Sequence, residues 1–317
     1  MAAEPFLLNI TVLLASLFLL FKAADLIVYG ISDYARRLGL SDYIIGLIVV
    51  AFSLSAPELI SSLFGFMLGK TELFLGIILG ANMVHFALSI GLLLVVGKKL
   101  RFDNPILGKQ KLFAWLLLML PFLLMIDGEL SRFNGAILLA AFFVYLGVLW
   151  IQEGRLGKLK KRIALRTIWR DAIIFLGSLV ALLLAGRWLV FSTINLSAIT
   201  GITPYLLSVT IMGIATTIPD FVVQLRSIIK GHTDIGIGDA IGSAIIELVL
   251  FFGLVALIKP FKIAFAEIGT TLLFLALSIS TIFLLTNKKE GTWKHGILLI
   301  ALYVLFVLIE LAKIQVL

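Results

Sequence analysis

Two carboxylates follow a proline inside apolar stretches of the chain, at Pro57-Glu58 and at Pro219-Asp220. Proline cannot donate a backbone hydrogen bond and clashes with the preceding turn, so a helix is expected to break or kink at Pro57 and at Pro219. Such a break releases carbonyl oxygens beside the carboxylate. Because a carboxylate at bilayer depth is costly unless it faces a partner or a water-filled cavity, the two pairs predict a polar site inside a membrane.

Other polar side chains accompany the two pairs in both stretches. They are Ser55, His85, Thr216, Thr217, Ser243 and Glu247. Carboxylates, hydroxyls and released carbonyls are the oxygen ligands that a hard cation such as calcium or sodium requires. We therefore expect these side chains to converge with Glu58 and Asp220 in a cation-binding site.

A shift of 162 residues superimposes the two stretches without a gap, and it places His85 on Glu247. Each copy also carries two glycines four residues apart on one helix face. They are Gly76, Gly80, Gly238 and Gly242. Small residues at this spacing allow helices in a membrane to approach closely, so these glycines predict helix packing.

The composition indicates a polytopic membrane protein. The chain has 317 residues, 61% of them hydrophobic and 14% charged, and its mean hydropathy is +1.16. A soluble core does not need so much apolar surface. The absence of cysteine excludes disulfides and thiolate metal sites. The net charge of +8 is typical of basic cytoplasmic loops, so it does not indicate nucleic-acid binding.

The apolar runs predict an all-α protein with ten transmembrane helices. Their expected spans are 6–29, 42–68, 72–97, 111–127, 133–152, 169–193, 203–229, 234–258, 264–286 and 293–313. Most basic residues then fall in the connections on one side of the membrane. The positive-inside rule makes that side cytoplasmic and leaves both termini outside.

A basic cytoplasmic connection, residues 153–168, separates residues 1–152 from residues 169–317. Each half contains five predicted helices, and an odd number forces the two copies into opposite orientations. Inverted repeats are a recurring plan of secondary transporters, whose site lies where the repeats meet near the bilayer midplane. We therefore predict two inverted five-helix repeats.

The two stretches resemble the alpha repeats of the sodium/calcium exchanger family, within the broader calcium:cation antiporters. That family's pattern is roughly G-T-S-x-P-E, followed by G-S-N-x-x-N or a variant that ends in Asp. The corresponding stretches here are SLSAPE (53–58) and ATTIPD (215–220), followed by GANMVH (80–85) and GSAIIE (242–247). The resemblance covers the whole chain in length, helix count, outside termini and inverted repeat.

The resemblance implies that Glu58 and Asp220 bind a calcium ion between the repeats. It also implies further ligands to sodium or calcium. These are the hydroxyls of Ser55, Thr216, Thr217 and Ser243, the side chains of His85 and Glu247, and the backbone carbonyls of Ala51 and Gly213. The first repeat departs from the pattern at Leu54, Ala81 and His85, each of which replaces an oxygen-bearing side chain, and in the second repeat Asp220 is shorter than the usual Glu.

We expect a secondary active antiporter, not an enzyme, which binds a divalent cation, calcium first, and exchanges it for sodium or protons by alternating access. It needs no cofactor, since bound calcium and sodium ions are its substrates. Its partners are the lipid bilayer and inorganic cations, with no nucleic acid, and the sequence does not indicate an oligomeric state. The expected location is the plasma membrane.

Three alternatives remain open. An imidazole titrates near neutral pH and suits softer metals, so His85 is compatible with a proton-coupled exchanger of another divalent metal such as manganese or zinc. The altered first repeat is also compatible with a non-transporting relative. More remotely, Gly236-Ile237-Gly238-Asp239 fits the G-x-G-D motif of intramembrane aspartyl proteases, although the chain has no Tyr-Asp dipeptide and no Pro-Ala-Leu signature.

Overall fold

The computed structural model describes residues 3–37, 55–97, 99–101, 111–153, 165–229, 233–287 and 290–313. This part of the chain is mostly helical. Its α-helices are α1 (Ala3–Arg37), α2 (Ala56–Met67), α3 (Thr71–Met83), α4 (Ile90–Gly97), α5 (Lys111–Leu124), α6 (Arg132–Glu153), α7 (Leu165–Thr200), α8 (Pro204–Leu207), α9 (Gly213–Ile229), α10 (Thr233–Ala244), α11 (Phe252–Ile258), α12 (Phe265–Asn287) and α13 (Trp293–Ala312). Three π-helical segments join neighbouring α-helices, namely π1 (Val84–Ser89), π2 (Ser208–Met212) and π3 (Ile245–Phe251).

Six helices among the described residues are long and apolar enough to cross a membrane. They span Glu4–Ala23, Thr71–Gly97, Leu176–Thr200, Gly238–Ile258, Phe265–Leu285 and Trp293–Ala312. Helical backbone satisfies its own hydrogen bonds, which is what a bilayer demands of a spanning segment. Thr71–Gly97 and Gly238–Ile258 are 89% and 78% buried, against 28–56% for the other four, so these two helices form the centre of the protein.

Two short antiparallel sheets tie distant connections together. They are built from β1 (Lys99–Arg101), β2 (Glu129–Leu130), β3 (Phe261–Lys262) and β4 (Glu290–Thr292), with β1 paired to β4 and β2 paired to β3. The 162-residue shift carries β1 onto β3 and β2 onto β4, so it exchanges one sheet for the other. Each sheet therefore joins connections from both halves of the chain.

Close helix contacts occur at the glycines of α3. A Cβ built on Gly76 would meet the side chain of Ser208, and one built on Gly80 would lie 2.5 Å from the carbonyl oxygen of Val209. A Cβ on Gly213 would in turn lie 2.6 Å from the carbonyl carbon of Gly80. Here π2 and the start of α9 touch α3 backbone to backbone. Gly238 and Gly242, the counterparts of Gly76 and Gly80, lie on α10. The 162-residue shift relates residues 205–209, which contact Gly76 and Gly80, to residues 43–47, which are outside the described part of the chain.

The two prolines occupy different helical positions. α2 begins at Ala56, so Pro57 lies in its first turn, where a missing N–H costs no intrahelical hydrogen bond. Residues 51–54, which would show whether a helix precedes that start, are outside the described residues. The break predicted at Pro219 is wrong, because α9 runs without interruption from Gly213 to Ile229. Membrane helices tolerate an internal proline because nearby side chains and local adjustments satisfy the released backbone groups.

The contact at Gly80 predicts a steric effect. In Gly80→Ala the new Cβ meets backbone atoms that cannot move aside independently, so we expect a loss of about 1–3 kcal/mol in stability, seen as a lower thermal midpoint in detergent. Gly147→Ala on α6 is the matched control, because a Cβ there has no neighbour within 4 Å. Equal midpoints for the two variants would contradict the close packing of α3.

The sheets also predict sidedness, which the absence of native cysteine makes simple to test. Lys294 follows β4 and Lys262 belongs to β3, and both side chains are exposed. A membrane-impermeant maleimide should label Lys262→Cys in intact cells, whereas Lys294→Cys should be labelled only after permeabilisation. Labelling of both positions from the same side would be incompatible with the predicted topology.

Candidate cation site

Three acidic side chains lie in the interior of the helical bundle. Glu58 is in the first turn of α2, Asp220 is on α9 and Glu247 is on π3, and each is 0% exposed. The Asp220 carboxylate is close enough to Glu58 and Glu247 to interact electrostatically with both, and Glu247 interacts in the same way with Glu58. The structure thus brings these predicted residues together from both halves of the chain.

Most oxygens of these acids have no donor among the residues that the structure describes. Within that part of the chain, five carboxylate oxygens accept no hydrogen bond, namely both of Glu58, both of Asp220 and Oε1 of Glu247. Oε2 of Glu247 accepts one from Nδ2 of Asn82 at 2.8 Å. A buried acceptor without a donor is costly, and a buried carboxylate more so. An arrangement of this kind is stabilised when a cation binds among the oxygens.

The predicted hydroxyl groups fall into two sets. Ser55 and Ser243 are fully buried, and among the described residues their hydroxyls have no hydrogen-bond partner, although Ser55 lies near the Glu247 carboxylate. Thr216 Oγ1 donates to the carbonyl of Met212 at 2.9 Å, and Thr217 Oγ1 donates to that of Gly213 at 2.6 Å.

A threonine hydroxyl that donates to a carbonyl keeps lone pairs with which it can accept or ligate. Thr216 also faces the Glu58 carboxylate. The carbonyl of Gly213 is already an acceptor for Thr217. Ala51, whose carbonyl the resemblance also implies as a ligand, lies outside the described residues.

His85 is fully buried in π1, next to the acid of the second half. Its Nε2 lies 3.5 Å from Oδ2 of Asp220, within ion-pair range but without a formed hydrogen bond. Its Nδ1 lies 3.5 Å from Nε2 of Gln224. His85 and Glu247 each lie near the start of a π-helical segment, and the 162-residue shift relates the two positions. Such segments occur frequently at functional sites.

Three amide or acid side chains join the cluster in addition to the predicted set. Asn82 binds Glu247, and Nε2 of Gln224 donates to Oδ2 of Asp239 at 3.1 Å. The signal for Gln224 was available in the sequence, because it lies one helical turn after Asp220 and therefore shares its face. The contact of Asp239 with Gln224 depends on how α9 meets α10, which no local pattern reveals.

The arrangement is not a preformed metal centre. Among the described residues, no three histidine or acidic side chains are grouped tightly enough to hold a metal ion as they stand. The predicted ligand roles thus remain predictions. The acids are near neighbours whose oxygens are available, and they would have to close further around a bound ion.

Comparisons with known proteins identify the family of the chain. The family model described as sodium/calcium exchanger protein matches residues 8–151 and 171–312. The chain is 30% identical over 265 residues to the putative antiporter CaxA of Alkalimonas amylolytica, and the aligned region covers 81% of this chain and 82% of that protein. It is 24% identical over 344 residues to the sodium/calcium exchanger MaX1 of Methanosarcina acetivorans, covering 95% and 98%.

Solved structures show the same fold. The H+/Ca2+ exchanger CAX has a TM-score of 0.76 at 15% identity, covering 96% of this chain and 87% of that one. The sodium-calcium exchanger NCX_Mj has a TM-score of 0.67 at 21% identity, covering 95% and 97%.

These relatives are transporters rather than enzymes, so the G-x-G-D sequence at Asp239 is not a protease motif in this context. The family match covers both halves of the chain and most of its length. The chain is therefore an integral membrane protein that belongs to the sodium/calcium exchanger family.

Proposed function

We propose that the chain is a secondary active antiporter that binds calcium between its two halves and exchanges it for sodium or protons by alternating access. The observation that carries this proposal is the set of five buried carboxylate oxygens on Glu58, Asp220 and Glu247 that have no hydrogen-bond donor among the described residues. Calcium takes six to eight oxygen ligands in flexible geometry, and carboxylates and hydroxyls of the kind gathered here supply them.

The charge balance supports a cation as cargo. None of the lysines and arginines whose side chains the structure describes is buried, whereas the three site acids are. His85 is the nearby group that could carry positive charge. A divalent cation compensates more of this negative charge than a monovalent one, so calcium suits the site electrostatically.

The same imbalance explains why the proposed transport is an exchange. A cluster of uncompensated carboxylates is expensive in a low-dielectric interior, so a conformational change with the site empty is disfavoured. With calcium bound, or with counter-ions bound in its place, the charge is compensated and the change can proceed. Cargo therefore has to be replaced by counter-ion before the protein returns.

An inverted repeat is part of the proposal, and several features support it. The 162-residue shift relates the two sheets to each other and relates π1 to π3. It also relates α4 to α11 and α6 to α13, so the contact between α4 and α13 corresponds to the contact between α11 and α6. The family model also matches the chain in two separate segments of similar length. We assign the first repeat to residues 1–152 and the second to residues 169–317, in ten transmembrane helices with both termini outside the plasma membrane.

A second candidate follows from His85. An imidazole among carboxylates is an unusual ligand for calcium but an ordinary one for manganese or zinc, and it can exchange protons near neutral pH. This candidate is a proton-coupled exchanger of such a metal. It retains the fold and the acidic cluster and differs in cargo and counter-ion.

The proposal predicts the effect of neutralising the acids. Glu58→Gln and Asp220→Asn keep the side-chain shapes but remove the charges, so gradient-driven uptake of radiolabelled calcium into proteoliposomes should fall roughly 100-fold or more. Imposed sodium and proton gradients are tested separately, with manganese and zinc as competing cargo. Asp127→Asn is the matched control, because this carboxylate is exposed in the turn that follows α5.

The expected control result is uptake at the parental rate. The antiporter assignment would be overturned if neither gradient drives calcium uptake and if Glu58→Gln and Asp220→Asn behave like the parent. Uptake of manganese or zinc in preference to calcium, driven by protons alone, would favour the second candidate.

A further inference from the structure

A chain of polar contacts leads from Asp239 to the site acid Asp220. Oδ2 of Asp239 accepts a hydrogen bond from Nε2 of Gln224 at 3.1 Å, and the same nitrogen lies 3.5 Å from Nδ1 of His85. On the far side of the ring, Nε2 of His85 lies 3.5 Å from Oδ2 of Asp220. Gln224, His85 and Asp220 are fully buried. The four side chains come from α9, α10 and π1.

The donors and acceptors in this chain determine the state of the imidazole. A carboxylate only accepts hydrogen bonds, so Asp239 turns the NH2 group of Gln224 toward itself and His85. A neutral imidazole that faces this NH2 group through Nδ1 must present a lone pair there. Its proton then resides on Nε2, the nitrogen that faces Asp220.

This orientation differs from that of a cation ligand. A histidine that ligates through Nε2 carries its proton on Nδ1, which here would set one N–H group against the NH2 group of Gln224. With the proton on Nε2 instead, the N–H group would point its partial positive charge toward Asp220, whose Oδ2 lies 3.5 Å from Nε2. Asp220 also interacts electrostatically with Glu58, Asp239 and Glu247. A hydrogen-bond donor beside Asp220 would therefore reduce the repulsion between these carboxylates.

The equivalent described positions in the other half of the chain do not repeat this arrangement. The 162-residue shift places Ile77 on Asp239 and Ser62 on Gln224, and the Ser62 hydroxyl donates to Leu59 on its own helix. It places Glu247, which offers a free oxygen at Oε1, on His85. The two related positions therefore present opposite groups to the site, an oxygen acceptor from one half and an N–H donor from the other.

We propose that Gln224, held by Asp239, orients His85 as a donor toward Asp220, and that this orientation excludes sodium from the His85 side of the site. His85 is then a specificity-determining residue, and Gln224 and Asp239 are positioning residues that act through it. The exclusion of sodium rests on the proposed antiport of calcium, but the orientation of the His85 ring can be measured without transport.

The orientation is tested by NMR of nitrogen-labelled histidine in the full-length protein in nanodiscs. The chain has three histidines, so the spectrum of His85→Asn identifies the His85 signal. We expect the Nε2-protonated tautomer in the parent. In Asp239→Asn the new amide can donate, which allows Gln224 to turn its oxygen toward His85 and should favour the Nδ1-protonated tautomer. Gln224→Leu should give a mixture of both tautomers.

The consequence is tested by calcium uptake in sodium or choline media. In the parent, sodium should change the apparent KM for calcium by less than about twofold. In His85→Asn and Asp239→Asn, sodium should raise that KM roughly tenfold, because sodium can then compete with calcium on the His85 side of the site. Gln224→Leu should add nothing further in the His85→Asn background, because Gln224 acts through the imidazole.

An Nδ1-protonated tautomer in the parent, or a tautomer that neither Asp239→Asn nor Gln224→Leu alters, would overturn the orientation. A parent as sensitive to sodium as His85→Asn would overturn the exclusion of sodium. A parent that moves no calcium under any gradient refutes the proposed function, and the NMR result then still decides how His85 is held. Asp127→Asn should match the parent in both measurements.

Discussion

The buried negative charge of Glu58, Asp220 and Glu247 is the constraint on which the rest of this structure depends. These acids are removed from water and none of the described lysines or arginines is buried with them. Helices from both halves nevertheless converge there, since the backbone of α9 touches α3 at Gly213 and Gly80. Small residues permit that approach, and the approach brings the acids and His85 within range of each other. A cation bound among these acids, as we propose, would offset that energetic cost.

The sequence predicts the framework well, because two strong signals act together. Apolar runs of membrane-spanning length specify helices with little ambiguity, and the repeated Pro-acid pairs identify the helices that carry the site. The prediction fails where tertiary contacts decide. Pro219 does not interrupt α9, and Asp239, a candidate protease residue by motif, contacts Gln224 on a neighbouring helix. Side-chain pairing between helices depends on crossing geometry, which spacing along one helix cannot supply.

The unequal halves give the site its chemical character. At the positions related by the repeat, Glu247 presents an oxygen and His85 presents a ring that also contacts Gln224. A duplicated framework can thus keep its shared architecture while its two ligand sets diverge. Fold and family membership depend on features that both halves share, such as the paired sheets and the central helices. In the proposed function, the choice of ion depends on the few positions at which the halves differ.

The most direct test of the central claim is a crystal or cryo-EM structure of the protein in calcium, with strontium as the heavier substitute. The account predicts one strong density between Glu58, Asp220 and Glu247, surrounded by oxygens at about 2.3–2.6 Å. An ion held elsewhere in the bundle, or a well-ordered acidic cluster without any such density at saturating calcium, would contradict it.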